Sequence, residues 1–228
     1  MWLPDTTDSY VVPAVDANAY LQSKTRNTSD YPFLPSDKVS VFFDGTFVTT
    51  SRMRHVFPGE SFHSFLGRDP SVRIDYRPLQ QTQQTIGVFS RSKLTRFEQL
   101  THITNNAKSR IHVIIADVLP RSNEDKIKVE LSVPTSDQLV SNCHAISAGF
   151  ELSSEQDQDV IGQLFTSDDT LIPTDTVLQN KMTHNLIWLK HFEPGERKEI
   201  EFSYVVSHPV DEYVNIHRSE PSGELKQK

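Results

Sequence analysis

The chain has 228 residues, a mass of 26.0 kDa and a formal net charge of −7. An acidic balance argues against nucleic acid as the main partner, and the longest apolar runs are too short to cross a membrane. A single cysteine, Cys143, excludes an intramolecular disulfide. Because the N-terminal residues also lack the cationic and apolar regions of a signal peptide, we expect a cytoplasmic protein.

Charge is distributed unevenly along the chain. Residues 71–128 carry a net charge of +5, whereas residues 129–180 contain no lysine or arginine and carry −9. Such blocks are typical of complementary strands within one fold or of a surface for an oppositely charged partner. The acids of residues 151–169 lack the spacing of calcium ligands, which predicts a solvated connection there.

The first third of the chain reads as strands joined by turns. Residues 38–50 are rich in β-branched and aromatic side chains around Asp44-Gly45, a pair that favours a tight type I′ turn. A second turn is predicted at residues 57–60, and the segments SFHSFL and SVRIDYRPL are predicted to be strands. Residues 80–92 are polar and unpatterned, which predicts a long loop or a boundary between two sheets.

The second half continues the strand pattern. Residues 94–104 and 110–117 flank an Asn-rich linker, which predicts another hairpin. Residues 126–133 alternate apolar and polar side chains, as a half-buried strand does. The segments NLIWLKHF and RKEIEFSYVV flank residues 193–196, whose Pro-Gly-Glu repeats the turn at residues 58–60. At most one short helix is expected, at residues 153–162.

These elements predict an all-β chain built from two packed antiparallel β-sandwich (Ig-like) units with hairpin connections and little helix. Residues 1–85 are assigned to a first β unit that begins with an extended N-terminal segment. Residues 86–210 are assigned to an Ig-like β-sandwich, and residues 211–228 to a disordered tail.

Four blocks in a fixed order carry a family resemblance: VFFDGTFV, PGESFHSFLGRDPSVRI, DVLPRSNEDKIKVEL and WLKHFEPGERKEIEFSYVVSHP. Over residues 11–210 the chain resembles the C-terminal domain of the mucoidy-inhibitor-A-like proteins, a domain of unknown function. The resemblance supports a β-rich fold and supplies no catalytic residue. Members of that family carry an N-terminal domain and a coiled coil before this region, so the resemblance implies a chain truncated at its N-terminal side.

Few residues suggest chemistry. The sequence contains no metalloprotease, nucleotide-binding or hydrolase-elbow motif, and no cofactor is expected. If the linker after residue 104 forms a hairpin turn, His102 and His112 lie opposite each other on neighbouring strands. Two histidines make half of a zinc site, since such sites use three or four protein ligands.

The strongest binding candidate is an apolar segment inside the polar tract, with Ile86, Val88 and Phe89 followed by Arg91. It predicts a contact with a protein partner or with a second copy of the chain. The leading functional hypothesis is therefore a non-enzymatic protein-interaction or scaffold module. The alternatives are a hydrolase of unrecognised type, and a carbohydrate-binding β-sandwich that presents Trp188, Tyr204 or Phe89 to a sugar.

Overall fold

The computed structural model describes residues 6–43, 45–87, 91–140, 176–179 and 184–211. Within these ranges the chain forms strands and no helix, so the predicted all-β class is confirmed, and none of the described residues forms a helix able to span a membrane. The strands are β1 (Thr6–Val12), β2 (Asp16–Arg26), β3 (Ser36–Phe43), β4 (Thr46–Met53), β5 (Ser61–Arg68), β6 (Val72–Tyr76), β7 (Gln80–Ile86), β8 (Ser92–Asn105), β9 (Ile111–Val118), β10 (Lys128–Val133), β11 (Leu139–Val140), β12 (Thr176–Gln179), β13 (Asn185–Phe192) and β14 (Arg197–Pro209).

Three sheets contain these strands. A seven-stranded sheet has the order β11-β12-β13-β9-β1-β2-β5. A five-stranded sheet has the order β10-β14-β8, with β6 and β7 lying along the remaining side of β8. The third sheet is the β3–β4 hairpin. Pairing is antiparallel except between β1 and β9 and between β11 and β12.

The core lies between the two large sheets. Trp188 on β13 meets Phe202 on β14 edge-to-face, with ring centroids 5.9 Å apart, and Phe97 stacks on Tyr204 at 4.9 Å. Alternate residues of β14 point into this layer; the buried set is Ile200, Phe202, Tyr204 and Val206. This period-two burial is the one expected of a strand with one face in a core.

Both halves of the chain contain a Pro-Gly-Glu turn with the same hydrogen bonds. In the first, the Glu60 N–H donates to the Phe57 carbonyl at 3.0 Å, and the Phe57 N–H donates to the Glu60 carboxylate at 2.8 Å. In the second, the Glu196 N–H donates to the Glu193 carbonyl at 3.0 Å, and the Glu193 N–H donates to the Glu196 carboxylate at 2.8 Å. The repeated sequence motif is thus also a repeated structure.

A fully buried asparagine closes each turn. Asn27 follows β2 and Asn105 ends β8, and both side chains are 0% exposed. Each asparagine makes two backbone hydrogen bonds with its turn. The Asn27 carbonyl accepts the Gly59 N–H at 2.7 Å, and the Asn27 N–H donates to the Glu60 carbonyl at 2.8 Å. The Asn105 carbonyl accepts the Gly195 N–H at 2.8 Å, and the Asn105 N–H donates to the Glu196 carbonyl at 2.9 Å. The asparagines also bind neighbouring carbonyls through their side chains, which satisfies groups that burial would otherwise leave unpaired.

The hairpin predicted on either side of residues 105–109 is wrong. β8 belongs to the five-stranded sheet and β9 to the seven-stranded sheet, so the linker crosses from one sheet to the other. The turn at residues 193–196 makes the same crossing between β13 and β14. A short linker rich in asparagine fits a crossover as well as a hairpin, because the sequence of a turn does not specify which strands pair.

The loop predicted at residues 80–92 is replaced over half its length by β7. This strand pairs regularly with β8, from Gln80 opposite Glu98 to Ile86 opposite Ser92. All seven of its residues are exposed, so it lacks the apolar alternation that marks a half-buried strand. It is a strand because β8 presents a free edge with which its backbone can pair.

The predicted units do not coincide with the sheets. The boundary between residues 85 and 86 falls inside β7, and strands from both sides of it share the two large sheets. The immunoglobulin-like topology stays a prediction. The expected helix at 153–162 and acidic connection at 151–169 lie outside the described residues, as does the tail from residue 212.

The predicted hairpin at residues 38–50 is present as β3 and β4, with Val41 opposite Thr49 and Phe42 opposite Phe47. Gly45 has φ +75, the left-handed conformation that a type I′ turn requires. The alternating strand predicted at residues 126–133 is also confirmed as β10, whose Val129 and Leu131 pack on the core.

Candidate functional site

Exposed apolar side chains are concentrated around the β3–β4 hairpin. Nine large apolar residues are exposed in the described ranges, and five of them lie within residues 31–57. We call these five the hairpin surface: Tyr31, Leu34, Phe42, Phe47 and Phe57, exposed by 54% to 77%. Scattered apolar residues are normal on a protein surface, and more than half of those in the described ranges lie in this one segment.

The tip of the hairpin carries an aromatic pair. Phe42 and Phe47 face each other across the two strands, with ring centroids 5.8 Å apart in an edge-to-face arrangement. They are 62% and 54% exposed. The rings contact each other and leave more than half of their surface in water.

The base of the hairpin contains a cleft of about 270 Å³. Pro35, Asp37, Arg52 and Met53 line it together with Ser36 and Arg54. Arg54 lies 3.6 Å from the Glu60 carboxylate, an exposed ion pair that contributes little to stability. Arginine beside exposed aromatic residues is the composition typical of protein interfaces.

Both ends of the hairpin contact β5. Val48 approaches Gly67 so closely that a Cβ on the glycine would lie 3.3 Å from Val48 Cγ1, and Phe33 meets Phe62 edge-to-face at 5.9 Å. Among the described residues, no further strand pairs with β3 or β4. The β9–β13 pair, by contrast, lies inside the seven-stranded sheet, and its core-facing residues pack against β8 and β14 of the other large sheet.

The interaction segment predicted around residues 86–91 is only partly described. Ile86 ends β7 and is 49% exposed. Arg91 is also exposed, and its carbonyl accepts the Val210 N–H at 3.2 Å. Val88 and Phe89 lie outside the described residues, so a contact made by this segment stays a prediction.

The structure does not bring His102 and His112 together. His102 is on β8, with its Nδ1 3.4 Å from the Glu199 carboxylate, and it pairs with Asp75 on β6. His112 lies on the other large sheet, and its ring contacts the ring of His191 with centroids 4.1 Å apart. In the described part of the chain, no group of three or more His, Cys, Asp or Glu side chains is arranged to hold a metal ion.

His112 belongs instead to a polar cluster with Asp8 and His191, contributed by β9, β1 and β13. The Asp8 carboxylate lies 3.8 Å from His112 Nδ1 and is 13% exposed. Burial raises the pKa of Asp8 to about 6, although the charge of nearby Lys24 acts in the opposite direction. The cluster therefore places a carboxyl group with a raised pKa beside two imidazoles. Sequence patterns missed it because its members come from three separate strands.

Two of the three aromatic residues named in the carbohydrate hypothesis are not on the surface. Trp188 and Tyr204 are 4% and 1% exposed and belong to the core between the large sheets. Neither ring has a face free to stack on a sugar. Phe89 lies outside the described residues.

Two packed β-sheets with an attached hairpin that exposes aromatic side chains define the class of this protein as an all-β domain. A family model described as a domain of unknown function, DUF4139, matches residues 4–210, and the chain belongs to this family. It is similar to Protein F37C4.5 of Caenorhabditis elegans, with 35% identity over 123 residues, which is 54% of this chain and 22% of that protein. The chain thus matches about a fifth of that relative's length, and no solved structure matches it.

Proposed function

We propose that this chain is a non-enzymatic protein-interaction or scaffold module and that the hairpin surface is its docking site for another protein. The observation that carries the proposal is the concentration of exposed aromatic and aliphatic side chains at residues 31–57. Removing apolar surface from water is worth roughly 25 cal/mol per Å². A partner that covers these rings gains this free energy, since the hairpin has no such cover of its own in the described structure.

The cleft at the hairpin base indicates what the partner presents. Arg52 offers a planar donor group that binds a carboxylate in a bidentate way. The aromatic pair at the tip offers an apolar contact. We therefore expect the bound segment to combine an apolar side chain with an Asp or Glu.

Two finer assignments belong to the same proposal. The four ordered sequence blocks support a specific relationship with the mucoidy-inhibitor-A-like proteins. The lone cysteine supports a cytoplasmic location, where disulfides are rare.

The test compares two hairpin variants of the full chain. Phe42→Ser with Phe47→Ser removes the aromatic pair, whereas Ser40→Thr with Thr50→Ser exchanges an exposed cross-strand pair and serves as the control. Proteins bound from a lysate of the source cells are quantified by mass spectrometry, and each is then purified and titrated directly. We expect at least one protein whose Kd rises about tenfold or more with the aromatic variant only, equivalent to about 1.4 kcal/mol.

The unfolding free energy of both variants should stay within about 1 kcal/mol of the wild type, because the substituted side chains are exposed. If every captured protein binds the aromatic variant as tightly as the wild type, the hairpin surface is not the docking site.

The hydrolase alternative has one supporting observation, the polar cluster of Asp8, His112 and His191. A panel of ester, phosphoester and peptide substrates tests it. Hydrolysis by the wild type that is lost with His112→Gln, while folding is retained, would favour the enzyme over the interaction module.

A further inference from the structure

The edges of the sheets differ in how they are protected. An edge strand exposes unpaired backbone groups, and proteins block these with charge, proline, bulges or short length. β10 carries Lys128 and Glu130, has an irregularity after Leu131 and is followed by Pro134. β11 has two residues, and β5 ends in Arg68 after Gly67 at φ +84.

The remaining edges carry similar protection. β6 contains Arg73 and Asp75. The pairing of β3 with β4 is irregular at two places, between Ser36 and Val39 and between Val41 and Phe42. The hairpin strands also carry charged residues, among them Lys38 and Arg52.

β7 has none of these protections within its own residues; Gly87, with φ +96, follows it directly, and Pro78 precedes it by two residues. Its sequence QQTQQTI contains no charge, no proline and no glycine. It pairs with β8 over its whole length without a register shift, and every residue is exposed. Only β8 pairs with it among the described residues, so the N–H and C=O groups of its alternate residues point away from the sheet.

We propose that β7 is a strand-addition surface for a second copy of this chain, through antiparallel pairing of two β7 strands about a two-fold axis. The pairing joins two five-stranded sheets into one continuous sheet. It is a surface distinct from the hairpin and does not depend on the function proposed for it.

The composition of β7 favours a second copy as its occupant. A two-fold contact sets a strand against itself, so the strand has to be self-complementary. Pairing centred on Gln83 places Thr82 opposite Gln84 and Gln81 opposite Thr85. Amide and hydroxyl groups both donate and accept hydrogen bonds, so each of these pairs is satisfied without a charged group. No like charges are brought into opposition within the strand.

The contact is small. Seven residues per copy bury less surface than the roughly 1,600 Å² of a standard interface, so the dimer should be weak, with a Kd in the micromolar range or above. Because it consists of backbone hydrogen bonds and neutral side chains, it should persist in high salt, where an interface of exposed ion pairs weakens.

The test is sedimentation of the wild-type chain from about 1 to about 200 µM, a range that brackets a micromolar Kd. The expected result is a concentration-dependent dimer. Amide hydrogen exchange within residues 80–86 should slow as the dimer fraction rises with protein concentration, because the edge amides become hydrogen-bonded. A wild type that is monomeric throughout, or that forms open-ended assemblies in place of a dimer, overturns the proposal.

Charge-swapped variants identify the strand involved. The variant with Gln81→Lys, Gln83→Lys and Thr85→Lys sets positive charges opposite each other in the dimer. The variant with Gln81→Glu, Gln83→Glu and Thr85→Glu sets negative charges opposite each other. Each variant alone should dimerise at least tenfold more weakly, and mixing them should restore a dimer of one copy of each. A control with Asn106→Lys, Asn123→Lys and Ser136→Lys, all at exposed positions outside β7 and the hairpin, should dimerise as the wild type does.

Dimerisation of both β7 variants at wild-type strength would show that another surface makes the contact. Failure of the mixture to restore the dimer would equally refute self-pairing of β7. Folding of each variant is checked by its urea unfolding curve, and the substituted positions are exposed, so little change is expected.

Discussion

Replacing Asn105 by aspartate tests whether the buried asparagine holds the two sheets together at their crossing point. Its side-chain amide donates to the carbonyls of Ser109, Phe192 and Glu193 at 3.0, 3.1 and 3.1 Å. Its Oδ1 accepts the Ala107 N–H at 2.8 Å. Asn105→Asp keeps the shape and the acceptor but turns an oxygen toward the carbonyls in place of the donors.

The expected loss follows from these contacts. Each hydrogen bond removed from a buried partner costs about 1 to 1.5 kcal/mol, and the introduced carboxylate has no cation beside it in the hydrogen-bond set described above. The unfolding free energy should therefore fall by about 3 to 5 kcal/mol at neutral pH, a large share of the stability of a typical domain.

The pH dependence gives a second signature. Burial and the facing carbonyls should raise the pKa of the introduced carboxyl, since its protonated form donates one hydrogen bond. A carboxyl group whose pKa is raised in the folded state stabilises the fold at low pH, and this contribution is lost as the pH rises through that pKa. The loss relative to wild type should thus be smaller at pH 4 than at pH 7.5.

Urea unfolding followed by tryptophan fluorescence measures both effects, because Trp188 lies in the core. Asn106→Asp, which makes the same chemical change at an exposed neighbour, is the control. Its unfolding free energy should stay within about 0.5 kcal/mol of the wild type. If Asn105→Asp lies within about 1 kcal/mol of that control, or loses as much at pH 4 as at pH 7.5, the hydrogen-bond argument is refuted.

Three further predictions concern folding. The pKa of Asp8 is raised to about 6 from its ordinary 3.8, so its protonated form contributes stability that is present below pH 3.8 and lost as the pH rises through 6. Asp8→Asn should therefore raise the unfolding free energy at pH 7.5 by up to about 3 kcal/mol and give no gain at pH 4. Equal effects at both pH values would contradict this. Gly67→Ala should lower the thermal unfolding temperature more than Gly45→Ala does. Both glycines have positive φ, but only a Cβ at residue 67 meets a neighbour, Val48 Cγ1 at 3.3 Å. Equal losses would show that Val48 moves away without cost. Ile103→Ala, at a side chain with 0% exposure, should lower the urea unfolding free energy by about 2 to 5 kcal/mol, and a loss below about 1 kcal/mol would place it outside the core.

Features set by neighbouring residues were predictable from the sequence. The alternation that forms β10 and the Asp-Gly turn between β3 and β4 are local, because a half-buried strand alternates and a tight turn needs positive φ. The two Pro-Gly-Glu turns are local for the same reason. Their buried asparagines were missed, since nothing near Asn27 or Asn105 in the sequence indicates the turn that each one closes.

Features set by distant pairing were not predictable. β7 is a strand only because β8 lies beside it, and its own side chains carry no burial pattern. His112 meets His191 and Asp8 because β9 pairs with β13 and in parallel with β1. The hairpin surface escaped notice for the opposite reason. A strand rich in Phe and Val predicts burial, but among the described residues β3 and β4 pair only with each other and belong to neither large sheet, and Phe42 is exposed.

The burial of Asn27 has a consequence for glycosylation. Asn27-Thr28-Ser29 has the sequence of an N-glycan acceptor. The nitrogen that would carry the sugar donates to the carbonyls of Tyr31 and Val56 at 2.9 and 3.1 Å, at a residue with 0% exposure. A glycan at this nitrogen replaces one of its donor hydrogens and needs space that the closed turn lacks. The folded chain therefore cannot be modified at Asn27, and a glycan added during synthesis would prevent the first turn from closing.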